Sequence, residues 1–583
     1  MASPTAQSLR VGNCSGFYGD RFSAMREMLG GGELDVLTGD YLAELTMLIL
    51  ARDRAKDAST GYAKTFLQQM EECMGIALDR GVRIVVNAGG VNPAGLVQAL
   101  QTIADSLGLA PSIAHLYGDD VTSRSTELGL GSPLSANAYL GGFGIARCLA
   151  AGADIVVTGR VTDASLVVGP AIHHFDWGRE DFDELAGATV AGHVIECGTQ
   201  ATGGNLSFFR EIPDLMRPGF PIVEIEADGS SVVTKNPGTG GAVTVDTVTA
   251  QLLYEVTDAR YAGPDVTTRL DSIALSQEAQ DRVRISGVRG EAPPPELKVS
   301  LNSIGGVRNE VSIILTGLDI EAKADLVRRQ VEDALPARPR ELSWELVRTD
   351  RTDSPTEQLA SARLTVVARD DDREKVGRKF SNSVIEIALG SVPGFHTTAP
   401  PSAGSTYGVF TPGYITQEDV DHTAVLPDGK RIPIAAPEVT TDLVPAHTDH
   451  RAADDGGDAA SSHPDYWGPM RRLPLGTIAG ARSGDKGPNA NIGVWVRDEA
   501  AFDWLAEALT IEQLRRMLPE CADLEVTRTV LPNLHAVNFV LAGILGEGVA
   551  YNARFDPQAK ALGEWLRSRT IDIPELVLTE ADQ

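Results

Sequence analysis

Cysteine is scarce in this chain. Among 583 residues there are five, Cys14, Cys73, Cys148, Cys197 and Cys521, odd in number, far apart and without a CxxC pair. That distribution excludes a disulfide framework and a cysteine zinc site, and fits reduced thiols in a cytoplasm. Long apolar runs are also missing. The longest candidate, Phe539–Leu545, stops at Gly546 and Glu547, well short of the ~20 residues that span a bilayer. Met1–Ser8 has neither a charged start nor an apolar stretch, so no signal peptide is expected. Positive charge is in deficit: 51 Lys and Arg against 80 Asp and Glu give a net −29. Such a balance repels nucleic acid and anionic membrane at long range. The histidines carry no metal-ligand spacing. GK[ST] and GxSxG are both absent, which removes a Walker A loop and a nucleophile elbow.

Glycine, by contrast, is abundant, 59 residues in all. It recurs in one kind of segment. A short β-branched run ends in a glycine-polar loop, and a helical pattern follows. Leu9–Arg21, Leu34–Glu44, Val82–Gly95 and Ala153–Ser165 are the clearest cases. Apolar strands alternating with helices indicate a parallel sheet covered on both faces. Ligands of such sheets bind beyond the carboxyl ends of the strands, where these loops lie.

Four zones follow from the patterning. Residues 8–205 read as a parallel, Rossmann-like α/β region that binds the ligand. Its helices are expected near 41–55, 64–80, 93–107 and 138–151, with Leu42, Leu45, Leu48 and Ile49 as an inner stripe. Residues 206–445 read as an α+β region with mixed or antiparallel pairing, including strands at 297–302 and 311–316. Residues 446–469 are rich in Asp, Ala, Ser, Gly and Pro and read as a flexible linker. Residues 470–583 read as a small ferredoxin-like α+β domain, mobile on that linker, with ARSGDKGPNANIG (Ala481–Gly493) as one polar loop.

Several side chains are candidates for chemistry. Asp40 and Asp163 leave apolar strands abruptly and fit general acid–base roles or Mg²⁺ ligation; a helix cap is the plainer role for either. If residues 190–197 are helical, His193, Glu196 and Cys197 share a face. Gly198 reads as the C-cap, so Cys197 sits at the negative end of the helix dipole and is a poor nucleophile. His193 or Glu196 is therefore preferred as acid or base over Cys197, and a buried helix end with a satisfied histidine is the equally weighted alternative. Asn13, Ser15 and Arg21 in the first loop, Asn87 and Asn92 in the third, Arg160, Thr199, Asn205 and Lys235 are candidates for binding a carbonyl or phosphate. Asp485 and Lys486 in the C-terminal loop form a second half-site or a subunit interface.

GNCSGFYGDR, DVLTGDYLAELTM, VVNAGG, VVTGRVTDASL, GHVIECGTQATGGN and ARSGDKGPNANIGV, in that order, resemble the acyclic terpene utilisation AtuA family fused to an AtuA-like ferredoxin-fold domain. The resemblance implies breakdown of citronellol- and geraniol-type acids through coenzyme A thioesters, beside a biotin-dependent acyl-CoA carboxylase. The leading expectation is a homo-oligomeric enzyme performing a hydration, dehydration or lyase step on a branched acyl-CoA or hydroxy acid. Two alternatives are kept. One is a phosphate-handling hydrolase with Asp40, Asp163 and Mg²⁺, and the other is a non-catalytic scaffold for the carboxylase.

Overall fold

A computed structural model describes residues 7–442 and 467–578. Most of the expected linker therefore lies outside the described residues. The chain begins with strands β1 (Leu9–Asn13), β2 (Val36–Gly39), β3 (Arg83–Val86), β4 (Ile113–Tyr117), β5 (Ser135–Ala138) and β6 (Ile155–Val157). Between and after them lie helices α1 (Ala24–Gly31), α2 (Glu44–Lys56), α3 (Lys64–Arg80), α4 (Pro93–Leu107), α5 (Phe143–Ala150), α6 (Ser165–Phe175) and α7 (Phe182–Ile195). Five strands pair in parallel, in the order β1-β2-β3-β6-β4, with Val11 opposite Val36, Leu37 opposite Ile84 and Val85 opposite Val156. Strand β5 leaves this sheet and pairs with residues 299–302 of the strand Glu296–Thr316. Antiparallel strands then extend the sheet at both edges. β7 (Pro221–Ile225) and β8 (Ser231–Lys235), with Arg282–Ser286 and Ala274–Ala279, lie beyond β1, while Thr423–Val425 and Arg431–Pro433 lie beyond β4. One sheet of eleven strands thus draws on both of the first two zones of the sequence.

The helices form for local reasons. In α3, Phe66, Met70, Cys73, Met74 and Ala77 recur at three- and four-residue steps and are buried. Gly81 ends it at φ 67°, its N–H returned to Ala77 and Leu78. α4 opens with Asn92 accepting from the Gly95 N–H and Pro93 in the first turn. α7 is buried without interruption from Leu185 to Ile195, as a helix lying between other layers must be. In α2 the structure corrects the expected stripe: Met47, Leu50 and Ala51 face inward with Leu48, while Leu45 and Ile49 are exposed. Apolar residues occupy both sides of this helix, so spacing alone does not select the buried one.

Residues 303–409 and 550–557 form a separate compact unit. Its sheet pairs the end of Glu296–Thr316 with Ser361–Asp370 and that strand with Glu341–Val347, all antiparallel. Ile320–Ala334 and Arg378–Glu386 supply Val327, Val331, Phe380 and Val384 to its core. Two strands were expected where one continuous strand runs. Gly305 permits it, because a Cβ there would meet the Tyr407 ring at 2.4 Å.

The C-terminal residues build a four-stranded antiparallel sheet, Gly480–Lys486, Asn489–Trp495, Ala536–Leu541 and Val526–Leu531 in spatial order, with helices Glu499–Ala508, Ile511–Met517 and Leu562–Ser568. The polar segment expected as a loop is instead a hairpin, with Gly484 opposite Asn491 and Lys486 opposite Asn489, turning at Gly487, φ 63°. Alternation explains it. Ala490, Ile492 and Val494 enter this domain's own core, while Asn491, Gly493 and Trp495 face the first region. The domain is docked against the first region. Asn491 Nδ2 donates to the Leu253 carbonyl at 2.7 Å, and the Glu255 N–H donates to Asn491 Oδ1 at 3.0 Å. Asn538 Nδ2 donates to Val256 O at 3.1 Å, Trp495 Nε1 to Asp246 at 3.0 Å, and Ser207 Oγ to Ala481 O at 2.9 Å.

Because Asn491 is fully buried, truncation strands two backbone groups at a cost of about 1–3 kcal/mol. Asn491→Ala is expected to speed amide exchange across residues 253–257, read by hydrogen–deuterium exchange. Unchanged protection there would contradict the docking.

Candidate active site

The carboxyl ends of the parallel strands, the end of α7 and the C-terminal hairpin contribute one charged cluster. β1 ends at Asn13, whose Nδ2 donates to Ile195 O at 2.7 Å and Glu196 O at 3.0 Å. That pair fixes the end of α7 against the sheet. Gly16 permits the closeness, since a Cβ there would lie 2.7 Å from the Cys197 carbonyl carbon.

β2 runs directly into Asp40. Its Oδ1 accepts from Asn87 Nδ2 at 2.6 Å and from the Leu42 N–H at 3.0 Å. Asn87 follows β3 and also accepts the Tyr41 N–H. Burial pushes the Asp40 carboxyl up to about 7, helped by the charge of Glu196 and opposed by Arg160 and the Asn87 bond. Arg160, 2% exposed, follows β6. Its Nε donates to Val161 O at 2.8 Å, its Nη2 engages Asp163, and its Cζ lies 4.5 Å from the centre of the Tyr139 ring. Asp119, beyond β4, accepts the Arg160 N–H at 2.9 Å and Asn137 Nδ2 at 3.0 Å, and burial pushes it up to about 6.

His193 and Glu196 meet at the end of α7, Nδ1 to Oε1 at 3.1 Å. His193 is 4% exposed, and among the described residues its Nε2 and Glu196 Oε2 are buried without partners. Unmatched buried polar atoms are costly and recur where a ligand completes the bonding. The Tyr261 ring lies 5.2 Å from the imidazole. Burial raises the Cys197 thiol well above the ordinary range, and Glu196, Glu255 and Asp40 raise it further, which disfavours the nucleophilic thiolate.

The C-terminal domain closes the cluster. Lys560 Nζ lies 3.3 Å from Asp485 Oδ1 and 3.5 Å from Glu255 Oε1, and donates to the Tyr254 hydroxyl. Arg482 stacks 4.4 Å from the Tyr254 ring centre and donates to Asn205 O at 3.2 Å and to Gln200. Burial, reinforced by Glu255, pushes Asp485 up to about 6. On Glu255 itself the charges of Lys560 and Lys486 outweigh burial and hold it low.

The structure thus brings Asn13, Asp40, Asn87, Arg160, Asp163, His193, Glu196, Asn205, Asp485 and Lys486 into or beside one cluster. Other expected ligand-binding residues are committed elsewhere. Arg21 donates to Pro218 O at 2.8 Å and pairs with Glu27 at 2.9 Å. Lys235, 8% exposed, closes its own loop on Thr239 O at 2.7 Å and Asp281 at 3.3 Å. Asn92 caps α4, Ser15 Oγ donates to Phe17 O at 3.0 Å, and Thr199 accepts the Gly204 N–H through its carbonyl. Each of these polar groups serves the backbone of a glycine-rich turn, a need that the sequence does not distinguish from ligand binding. Asp163 faces Arg160, and among the described residues no three His, Cys, Asp or Glu side chains converge as metal ligands. Sequence reasoning missed Glu255, Tyr254, Tyr261, Tyr139, Lys298 and Lys560. The one local mark at Glu255 is a positive φ of 58°, which composition does not reveal.

The thiol environments are directly testable. Alkylation by iodoacetamide at pH 8 is expected to leave Cys14 and Cys197 unmodified in the folded protein and to label them on unfolding. Rapid native-state labelling of Cys197, which is partly exposed, would contradict the raised pKa of its thiol.

Among the described residues no helix is long and apolar enough to cross a membrane. No curated protein matches the chain. Residues 9–426 match the family described as acyclic terpene utilisation family protein AtuA, and residues 473–572 match the AtuA ferredoxin-like domain. The chain therefore belongs to the AtuA family of acyclic terpene utilisation, a catabolic role, and carries that family's ferredoxin-like domain docked against its charged cluster.

Proposed function

We propose that the cluster performs acid–base chemistry on a branched acyl-CoA or related hydroxy acid, in a hydration, dehydration or lyase step of acyclic terpenoid breakdown. The observation that carries this reading is the Asp40 carboxyl, buried at the strand ends and balanced near neutrality, in electrostatic reach of the His193–Glu196 pair. Two titratable groups held in different environments are what an acid and a base require. In the dehydration direction, His193 Nε2 takes the proton next to the carbonyl while Glu196 steadies the imidazolium through Nδ1. Protonated Asp40 gives its proton to the departing hydroxyl, which leaves as water. Arg160 supplies fixed positive charge for the oxygen on which negative charge develops. Coenzyme A enters as part of the substrate, and an acyl-CoA carboxylase as the neighbouring activity, on the strength of family membership alone.

His193→Gln is expected to lower turnover of branched acyl-CoA substrates by about 10²–10⁴-fold, with an unchanged melting curve. A wild-type rate would remove His193 from the mechanism.

Asp40 also links stability to pH. Its folded value of about 7 stands above the ordinary 3.8, so the folded state holds this proton more tightly than the unfolded chain. Its contribution is fully present below about pH 4 and is lost as pH rises through 7. Asp40→Asn keeps the Oδ1 acceptor and removes the charge. It is expected to raise Tm at pH 8, to leave Tm little changed at pH 4, and to abolish the alkaline limb of the pH–rate profile. Equal shifts in Tm at both pH values would contradict the assignment.

A further inference from the structure

The cations of the cluster differ in how fully they are engaged. Arg160 is held by Asp163, Lys560 by Asp485 and Glu255, and Arg482 by Gln200 and Asn205. Lys298 and Lys486 are not held in this way. Lys298 Nζ makes no hydrogen bond among the described residues and meets Glu44 only at 3.7 Å, with both side chains about one third exposed. A pair so placed contributes little. Lys486 Nζ makes neither a hydrogen bond nor an ion pair among the described residues, although its charge reaches Glu255 and Tyr139.

The fold presents Lys298 on two rings, and the turn that carries Lys486 packs against one of them. The Tyr139 N–H donates to the Lys298 carbonyl at 2.9 Å, which fixes their register. Lys298 Nζ lies 4.8 Å from the centre of the Tyr139 ring and 5.4 Å from that of Phe410. Phe410 in turn supports the hairpin turn that carries Lys486. Gly487, at φ 63°, packs so closely that a Cβ would sit 3.0 Å from the Phe410 ring. Arg160 lies over the same Tyr139 ring at 4.5 Å. Lys298 over these rings, Lys486 on the adjoining turn and Arg160 over Tyr139 concentrate positive charge locally in a chain of net charge −29, and positive charge concentrated in such a place attracts anions.

We propose that Lys298 and Lys486, with Arg160 at the shared Tyr139 ring, form a subsite for an anionic group of the substrate, either a carboxylate or a phosphate. The inference rests on the reading of Asp40 and His193 as the reacting centre and gives that centre an anionic substrate. It also gives the C-terminal domain a role in substrate recognition, since Lys486 reaches the subsite only through docking. None of the cations assigned to the ligand from sequence outside this cluster, Arg21 and Lys235, is available for that task.

The test is calorimetric binding of three probes, glutarate, pyrophosphate and coenzyme A, to the wild type, Lys298→Gln, Lys486→Gln, the double variant, Lys486→Arg and His193→Gln. Binding of glutarate alone identifies a carboxylate subsite. Binding of pyrophosphate or coenzyme A identifies a phosphate subsite. The expected result is that each Lys→Gln change weakens the bound probe at least tenfold, that Lys486→Arg retains most of the affinity, and that His193→Gln leaves it unchanged. Circular dichroism and melting curves establish that each variant is folded, and Lys486→Arg carries the test if a glutamine variant is not. Wild-type affinity in the double variant, or no binding of any probe by the wild type, overturns the subsite. If His193→Gln retains turnover while the lysine variants lose the probe, the reacting centre is misassigned and the subsite stands.

Discussion

Two buried asparagines hold the arrangement together. Asn491 and Asn538, bonded to each other at 3.0 Å, serve the backbone of residues 253–257, a turn that precedes them by more than two hundred positions. Without that pairing the turn at 253–257 would bury unmatched carbonyls and N–H groups. With it, Glu255 is fixed in a left-handed conformation, Gly484 and Gly493 lie close against Tyr254 and Leu253, and Lys560 and Asp485 reach Glu255. The ferredoxin-like domain is thus a wall of the cluster.

The chemistry of the first region follows from a different constraint, the abrupt ends of parallel strands. Asn13, Asp40, Asn87 and Arg160 each stand at or just past the last paired residue of a strand. The strands bury them, and the neighbouring strand ends supply their partners. A carboxyl fixed by two donors on one oxygen is balanced by the burial that raises its proton affinity and the cation that lowers it. The His193–Glu196 pair is set against it by Asn13, which ties β1 to the end of α7.

The sequence carried the parallel sheet, because continuous apolar strands and capped helices leave strong local marks. α3 and α4 have the bounds that Gly81, Asn92 and Pro93 imply. It also carried the residues that lie at strand ends. What it did not carry were features set by distant partners. The polar centre of the hairpin at 480–495 reads as a loop because its polar face meets another part of the chain. Leu45 and Leu48 are indistinguishable until packing selects one. Arg21 and Lys235 resemble ligand cations in glycine-rich loops, yet their loops use them for closure. Lys298, Glu255 and Lys560 belong to no motif and join the cluster only through long-range contact.

The most direct measurement of the central claim is the titration of Asp40 itself. Infrared difference spectra of wild type against Asp40→Asn isolate its carboxylic acid band as pH is raised. The account predicts a protonated carboxyl at pH 5 that disappears with a midpoint near 7. A midpoint near the ordinary carboxylate value, with the group fully ionised at pH 6, would contradict it.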